Sequence, residues 1–575
     1  MQDKDENNNL GKNLSYSSDN FIKIDLNKPE IEKIKVIKKE RIAFKKDDII
    51  AKYKIKGKEN INCVKSPIYG WIVKYEENDK ILILEKCKHE MFYYDLCSKC
   101  GYPKTEKDEL MTFGFMKNTF SYTKEKALSI EKTKVNDYLT AKKLILLLDL
   151  DNTILHCCSI LLSPEQFKNL KEKYLKYFSK IPIKNNLNRY DSILIKFRPY
   201  LRTFFKNIKN KYEIFVYTQA TEEYAKSIIQ YVNINFENDI LSISRMMPRS
   251  LNEEGFAENK SIKNVFPTQD KMILIIDDNK DVWKESGNNF IYIYPYRFFS
   301  ERDKSTNKLI FINNNFEKIY TKEPFYKIEC DNVLFCITNL LLNVHRKFFQ
   351  FYEKYNITKS ISRIADGTLK LILSKKKFYY HINFDKHPKN NKKKGKIEIE
   401  DNINNDSKEE TQKDIKTNNN SEETSKDLND GNNNIDDKKE NETVLNDKKN
   451  EGEKINIQIK NNVKNNLKLK IQKLGGELIE EEKDMINADF FLTDYYEDNN
   501  PIFKNIENYK DKKIPILHCH YIEICSMYFF SVKIEDFILN KNNKYLKFLD
   551  LNQIFEKNKA DIVNFYGNNE FIDEN

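Results

Sequence analysis

LILLLDLDNTILH, residues 144 to 156, is the stretch on which the reading of this chain turns. The five aliphatics Leu144 to Leu148 read as a strand buried on both faces, as strands of a parallel sheet do. Its carboxyl end delivers Asp149 and Asp151, with Thr153 two residues on, and parallel sheets bind their ligands at that edge. Residues two apart in an extended chain point the same way, so both carboxylates can face one reacting centre. One can attack while the other handles protons.

Such a D-x-D-x-T arises by accident on the order of once in ten chains of this length, so its context decides. A second apolar strand, EIFVY (213 to 217), ends in Thr218, whose hydroxyl and N–H can hold a phosphoryl oxygen at the following helix N-terminus. That helix carries Tyr224, Ala225, Ile228, Ile229 and Val232 on one face. A third strand, MILII (272 to 276), ends in Asp277 and Asp278. Four carboxylates and a hydroxyl thus meet at one rim, and so dense a negative cluster needs a cation, for which Mg²⁺ is the expected ion. The competing reading makes Asp149 and Asp277 helix caps and the others ordinary loop acids, but caps do not need both members of each pair. Phosphoryl transfer through an aspartyl-phosphate accounts for the pattern better.

Composition bounds the rest. The chain has 575 residues, 98 Lys+Arg against 88 Asp+Glu, and a formal charge of +10. Three or four domains fit that length. With 39% hydrophobic and 13% aromatic residues a packed core must exist, and 14 Gly and 13 Pro exclude a collagen-like or elastic chain. The positive surplus is mostly Lys spread along the sequence; it favours acidic or phosphorylated partners in general and requires no direct nucleic-acid binding. MQDKDENNNLGKNL lacks an apolar signal region and no stretch has the length of a membrane helix, so no membrane association is expected. Ten Cys are too few for a disulfide scaffold and should be reduced, as in cytosol or nucleus.

Residues 386 to 454 are a run of Lys, Asn, Asp, Glu, Ser and Thr with too little apolar area to offset ordering entropy, and read as a disordered insertion. Residues 1 to 35 read as a disordered tail, and 541 to 575 as a C-terminal tail. Residues 36 to 103 read as a β-rich unit, and 125 to 325 as the α/β unit around the acids. Within 328 to 356, Leu334, Ile337, Leu341, Val344, Phe348 and Tyr352 line one face of a helix long enough to bridge two domains. Residues 370 to 385 and 455 to 540 combine as a small α/β module split by the insertion. Its helix carries Val463, Leu467, Ile471 and Leu474, followed by Gly475 and Gly476, strands at Phe490 to Thr493 and Ile514 to His518, and a helix from His520 to Phe530.

The motifs LLLDLDNTILH (146 to 156), KFRPYLRTFF (196 to 205), EIFVYTQAT (213 to 221), ILSISR (240 to 245), KSIKNVFP (260 to 267) and MILIIDDNKDVW (272 to 283) occur in an order that resembles one family. This is the transcription-factor-IIF-interacting phosphatases of the RNA polymerase II C-terminal domain, within the haloacid dehalogenase superfamily. The resemblance implies a haloacid-dehalogenase-like parallel sheet sandwiched by helices. It makes Asp149 the nucleophile and a Mg²⁺ ligand, and Asp151 the acid and then base, its carbonyl touching the metal. Thr218 and Lys260 become the phosphate-binding pair, with Lys263 an alternative to Lys260 one helical turn on. Asp278 is a direct Mg²⁺ ligand and Asp277 its neighbour. Arg198 and Arg245 match arginines near the substrate groove, and Trp283 reads as a packing residue. Met246 stands where the family has an acid and Tyr200 where it has Gly.

The flanking segments extend the resemblance. Cys87, His89, Cys97 and Cys100 offer four ligands of the kind that hold structural Zn²⁺; reduced, partly buried thiols are the other reading. The strands around Ser66-Pro67-Ile68-Tyr69-Gly70 are similar to the family's biotinyl/lipoyl-like unit, without a modifiable Met-Lys-Met. The split C-terminal module looks like a BRCT domain with Tyr521 in place of the usual Trp, and YYHINF (379 to 384) lacks the Ser-Gly of phosphopeptide binders. The expected whole is a nuclear, Mg²⁺-dependent protein serine/threonine phosphatase. Its expected partners are the phosphorylated C-terminal domain of RNA polymerase II and transcription factor IIF. A BRCT scaffold with weak or different phosphatase activity, and a capped small-molecule phosphatase, are the alternatives.

Overall fold

The computed structural model describes residues 14–18, 20–106, 108–113, 120–157, 179–184, 190–236, 240–252, 254–267, 270–284, 287–297, 331–381, 461–497, 500–503, 513–544, 546 and 549–567. The expected insertion at 386 to 454 lies outside them.

The aliphatic run at 144 forms the central strand Leu144–Leu148, all five side chains buried. It pairs in parallel with Tyr212–Tyr217 on one side and Ile273–Asp277 on the other. Met246–Met247 and Phe290–Tyr292 complete a five-stranded sheet at its two edges, both parallel to their neighbours. Alternate residues feed two cores, because successive side chains leave opposite faces of a strand. Leu144, Leu146, Leu148, Ile214 and Val216 pack beneath the helices Leu201–Ile208, Glu222–Asn235 and Val333–Tyr355. Ile145, Leu147, Phe215, Ile273 and Ile275 pack against Ile262, Val265, Phe266, Trp283 and Tyr138 on the other. The expected helix at 221 to 232 is present, with the five expected residues buried.

Tyr200 caps the helix Leu201–Ile208 in a left-handed conformation, φ 64°. A side chain there costs on the order of 1 kcal/mol that glycine avoids. The ring offsets it by packing edge-on against Phe335 and obliquely against Phe555, at 5.5 and 5.9 Å.

Val333–Tyr355 is the expected bridging helix, and its burial continues nearly all round through Val344. It lies in one uninterrupted core with the helices Leu201–Ile208 and Glu222–Asn235, the helix Ile361–Leu369 and the C-terminal unit. In that unit four parallel strands run in the order Glu477–Ile479, Lys377–His381, Phe490–Thr493, Ile516–His518. Glu477–Ile479, three residues just after Gly476, was not expected as a strand. Residues 461–473 form the helix between the first two, and His520–Tyr528 follows the last.

Among the described residues, parts of both expected tails form regular elements. Phe21–Asp25 is a strand that buries Ile22 and Ile24 and pairs with Ile81–Lys86, and Ile31–Val36 joins Ile49–Ile55 and Ile61–Lys65 in a second sheet. The alternation Ile22, Ile24, Leu26 supplies their burial despite a polar setting. At the other end Leu551–Tyr566 is a helix. Asp550 caps it by accepting from the N–H groups of Asn552 and Gln553, and Gly567 closes it at φ 61°. Leu551, Ile554, Phe555, Ile562 and Tyr566 form its buried stripe. Asn343 of the bridging helix donates to the Tyr566 carbonyl at 2.7 Å.

Gly475 marks the seam between the helix at 461–473 and its following strand. Its φ is +87°, and a Cβ there would lie 1.8 Å from the Lys370 carbonyl oxygen. Gly475→Ala must therefore displace backbone, and a thermal melt of the full chain should fall by several degrees, a loss of about 2 kcal/mol or more.

Candidate active site

The carboxyl edge of the five-stranded sheet gathers the expected residues. Asp149 follows the last residue of the central strand and its N–H donates to the Ile276 carbonyl, locking it beside Asp277. Asp149 and Asp277 are buried, at 6% and 1% exposure, and Lys260 is buried between them at 2%. Lys260 Nζ donates to Asp149 Oδ1 and to Asp277 Oδ2, each at 2.6 Å. The ammonium sits over the rings of Tyr217 and Trp283, 5.9 and 5.5 Å from their centroids. Its backbone is held as firmly, since Lys260 N–H donates to Val282 O and Lys284 N–H donates to Lys260 O. The two motifs KSIKN and DDNKDVW are thus zipped together, which fixes the register: Lys260 is the buried cation and Lys263 is exposed.

Asp149, Asp277 and Asp278 bring carboxylate oxygens within 4.8 Å of one another. Asp277 is fully engaged: Oδ1 accepts from Asn279 N–H at 2.8 Å, and Oδ2 accepts from Lys260 and from Trp283 Nε1 at 2.8 Å. It therefore suits a supporting place better than a direct ligand. Trp283 is buried as expected, and its indole N–H also anchors that carboxylate. Asp278 Oδ1 accepts a 3.4 Å bond from Thr153.

Asp151 stands apart from the three-acid group, its Oδ1 accepting from the Tyr224 hydroxyl at 2.6 Å. The sequence placed Tyr224 on the buried face of its helix; its hydroxyl contact was not foreseen, because periodicity reports the ring and not the oxygen. Thr218 is buried one residue past its strand, its Oγ1 accepting from the Ala220 N–H at 3.1 Å.

Burial pushes the Asp149 carboxyl well above the usual range; Lys260 pulls it back, while Asp277 and Asp151 push it further. Burial also raises Asp151, against the bond from Tyr224 and the charge of Lys260. Asp278 is pushed up to about 6 by burial and then by Asp277. Burial works against the Lys260 charge, yet the two carboxylates outweigh it and hold its pKa above the ordinary lysine value. One ammonium thus faces four acids. Hard oxygen donors with surplus negative charge are the donor set of Mg²⁺.

Both expected groove arginines lie elsewhere. Arg198 is 1% exposed. Its Nε and Nη2 grip both oxygens of Asp331 at 2.9 Å, Nη2 also reaches the Tyr294 carbonyl, and Nη1 donates to the Thr153 carbonyl at 3.0 Å. It braces the loop after Asp151, with four of its five N–H groups engaged in these bonds and its side chain fully buried. Arg245 is ion-paired with Glu213, near the start of the strand Tyr212–Tyr217 and so toward the opposite edge of the sheet from Thr218. Met246 pairs in parallel with Val216, so the chain after Arg245 runs on toward the carboxyl edge. Arg249 is exposed, and its N–H donates to the Ala220 carbonyl, which places it beside the Thr218 loop. The pattern around SISR had drawn attention away from it.

Beside this rim Leu155–Cys157, Tyr190–Phe197 and Ser179–Lys184 form a small antiparallel sheet. Residues 158–178 and 185–189 lie outside the described residues. In the N-terminal unit Cys87, His89, Cys97 and Cys100 converge within 4.8 Å. Cys87 and Cys97 sulfurs are 3.7 Å apart and Cys100 Sγ is 3.3 Å from His89 Nδ1. Bonds of about 2.3 and 2.0 Å to tetrahedral zinc place such ligand pairs ~3.6 to 3.8 Å apart, so the set fits that ion.

Residues 144–326 match the NLI interacting factor-like phosphatase family, and the chain carries a phosphatase domain of that kind there. Among its relatives is an RNA polymerase II C-terminal domain phosphatase of Schizosaccharomyces pombe, 30% identical over 264 residues, 42% of this chain and 35% of that one. Its counterpart from Caenorhabditis elegans, which bears the same name, is 26% identical over 347 residues, 56% of this chain and 48% of that one. The chain thus spans less than half the length of either. A solved structure of Fcp1, described as an essential RNA polymerase II CTD phosphatase, aligns with a TM-score of 0.45 at 16% identity, covering 72% of this chain and all of that one.

Removing one partner of a buried ion pair strands the other. Arg198→Ala should lower the stability of the full chain in urea by about 3 to 5 kcal/mol, and Arg198→Lys should restore only part of it, because a single ammonium cannot replace two parallel N–H···O bonds.

Proposed function

We propose that the chain is a metal-dependent protein serine/threonine phosphatase that removes phosphate from phosphoserine in the heptad repeats of the RNA polymerase II C-terminal domain. The observation that carries the reading is the buried Lys260 ammonium, 2.6 Å from both Asp149 and Asp277 at the carboxyl edge of a parallel sheet. The substrate follows from the relatives named as C-terminal domain phosphatases. A substrate of that kind makes the site of action nuclear. Transcription factor IIF as a partner rests on the sequence resemblance alone.

In this reading Lys260 holds Oδ1 of Asp149 and leaves the other oxygen to attack phosphorus. Asp151, its carboxyl raised by burial, gives a proton to the departing serine oxygen and then takes one from the water that hydrolyses the aspartyl-phosphate. Tyr224 fixes the rotamer of that carboxyl. Lys260 and the Thr218 hydroxyl and N–H receive the equatorial phosphoryl oxygens, where charge spreads in a loose transition state. Asp149 and Asp278, with the Asp151 carbonyl and Asp277 in support, would hold Mg²⁺, whose charge offsets the incoming phosphate. Cys87, His89, Cys97 and Cys100 would hold a structural Zn²⁺, and the split C-terminal unit is a BRCT domain that docks within the chain.

Two measurements test the enzyme. Hydrolysis of a phosphoserine heptad peptide should fall by ~10³-fold or more in Asp149→Asn, and unchanged turnover would refute the reading. A carboxyl must lose its proton to bind a metal, and Asp278 is held at about 6. The Mg²⁺ concentration for half-maximal rate should thus be flat above pH 7 and rise as pH falls through 6, about tenfold per unit at the steepest.

A further inference from the structure

Outside the rim of acids, a second set of ligand-type side chains converges at the carboxyl edge of the C-terminal sheet. Phe490–Thr493 ends there and delivers Asp494, while its neighbour Ile516–His518 ends in His518, followed by Cys519 and His520 at the start of a helix. The parallel register sets Thr493 opposite His518, and Cys519 N–H donates to the Thr493 carbonyl at 3.0 Å, so both strand ends are fixed side by side.

His518, Cys519 and His520 offer ligand atoms that all lie within 4.8 Å of one another. The two Nδ1 atoms are 2.9 Å apart, and Cys519 Sγ lies 3.8 Å from one and 3.9 Å from the other. Asp494 lies just outside that group and holds the thiol: its Oδ1 accepts from Cys519 Sγ at 2.9 Å, and its Oδ2 accepts from the Tyr380 hydroxyl at 3.4 Å. Bond lengths of about 2.0 to 2.3 Å to a tetrahedral ion require edges of ~3.3 to 3.8 Å, and each of these separations lies within well under 1 Å of that. We propose that His518, Cys519 and His520 form a second transition-metal site, suited to Zn²⁺ with its fourth position open, and that Asp494 beside Cys519 supplies the balancing charge, so that the ion ties the ends of two strands to the helix His520–Tyr528.

The chemistry is balanced. Binding releases the Cys519 thiol proton to solvent, and thiolate, carboxylate and dication then sum to zero beside two neutral imidazoles. A neutral assembly of this kind tolerates partial burial. His518 is buried while Cys519 and His520 are half-exposed, so an ion can reach the site from solvent. Without an ion the same contacts form a hydrogen-bonded chain in which Cys519 donates to Asp494 and His518 Nδ1 accepts from the His520 N–H at 3.2 Å.

Cobalt separates these cases, because only a thiolate ligand gives a sulfur-to-metal charge-transfer band and the acidic rim at Asp149 has no sulfur. The full chain carrying Cys97→Ser and Cys100→Ser, which dismantle the N-terminal cluster, is titrated with Co²⁺. The expected result is one equivalent showing that band, lost on adding Cys519→Ser and weakened at least tenfold in affinity by His520→Ala. Absence of the band, or its persistence without Cys519, overturns the proposal. If the parent variant does not fold, the same comparison uses the otherwise unaltered chain and counts bound zinc by mass spectrometry: Cys519→Ser should lose one equivalent, and retention of all zinc overturns the proposal.

Discussion

Two buried carboxylates and one buried ammonium share the carboxyl edge of the central sheet, and the rest of the site is arranged around keeping them there. Desolvation alone would neutralise Asp149. Lys260 counters it because its own position is over-determined: a backbone pairing with Val282 and Lys284, two aromatic walls, and two acceptors at 2.6 Å. Asp277 in turn is held by the Trp283 indole and the Asn279 N–H, so it cannot turn away from the lysine. Asp149, the proposed nucleophile, is thus held in one orientation by its neighbours, and orientation of that kind is where an electrostatic catalyst gains its advantage.

The brace beneath this rim comes from outside the sheet. Arg198 joins the carbonyl of Thr153, in the loop carrying Asp151, to Asp331, which precedes the bridging helix. That helix is continuous in its packing with the C-terminal unit and with the helix Leu551–Tyr566. Tyr294, whose carbonyl also accepts from Arg198, sends its hydroxyl to Glu523 in the helix His520–Tyr528. The acids, the bridging helix and the C-terminal unit are therefore joined by continuous contacts that reach the loop carrying Asp151.

The sequence revealed what repeats and what is dense. Five aliphatics before Asp149, and matching runs before Thr218 and Asp277, were legible because buried parallel strands leave few polar interruptions. The lysine at 260 was legible from its motif, with its register open until the pairing with Val282 was seen. Arg198 misled because a guanidinium next to proline in a rim motif looks the same whether it faces a substrate or a buried carboxylate 133 positions away. Arg245 misled for a similar reason, its partner Glu213 lying at the far end of the adjacent strand. The strand at Phe21 is short and its alternation is diluted by Asn and Lys, whereas Leu551 to Tyr566 carried both an Asp cap and a closing glycine that its position late in the sequence obscured.

The two parallel sheets solve the same problem with different ligand chemistry. Each ends its strands at an edge where side chains from separate segments meet, since parallel register aligns the residues that follow neighbouring strands. At the phosphatase sheet that edge holds only hard oxygen donors around a lysine, which suits an ion that keeps water and exchanges readily with phosphate. At the C-terminal sheet it holds imidazole, thiol and one carboxylate, a set whose softness favours zinc over magnesium. Ligand softness would keep Mg²⁺ out of the proposed C-terminal site, although both edges are read from the same backbone geometry.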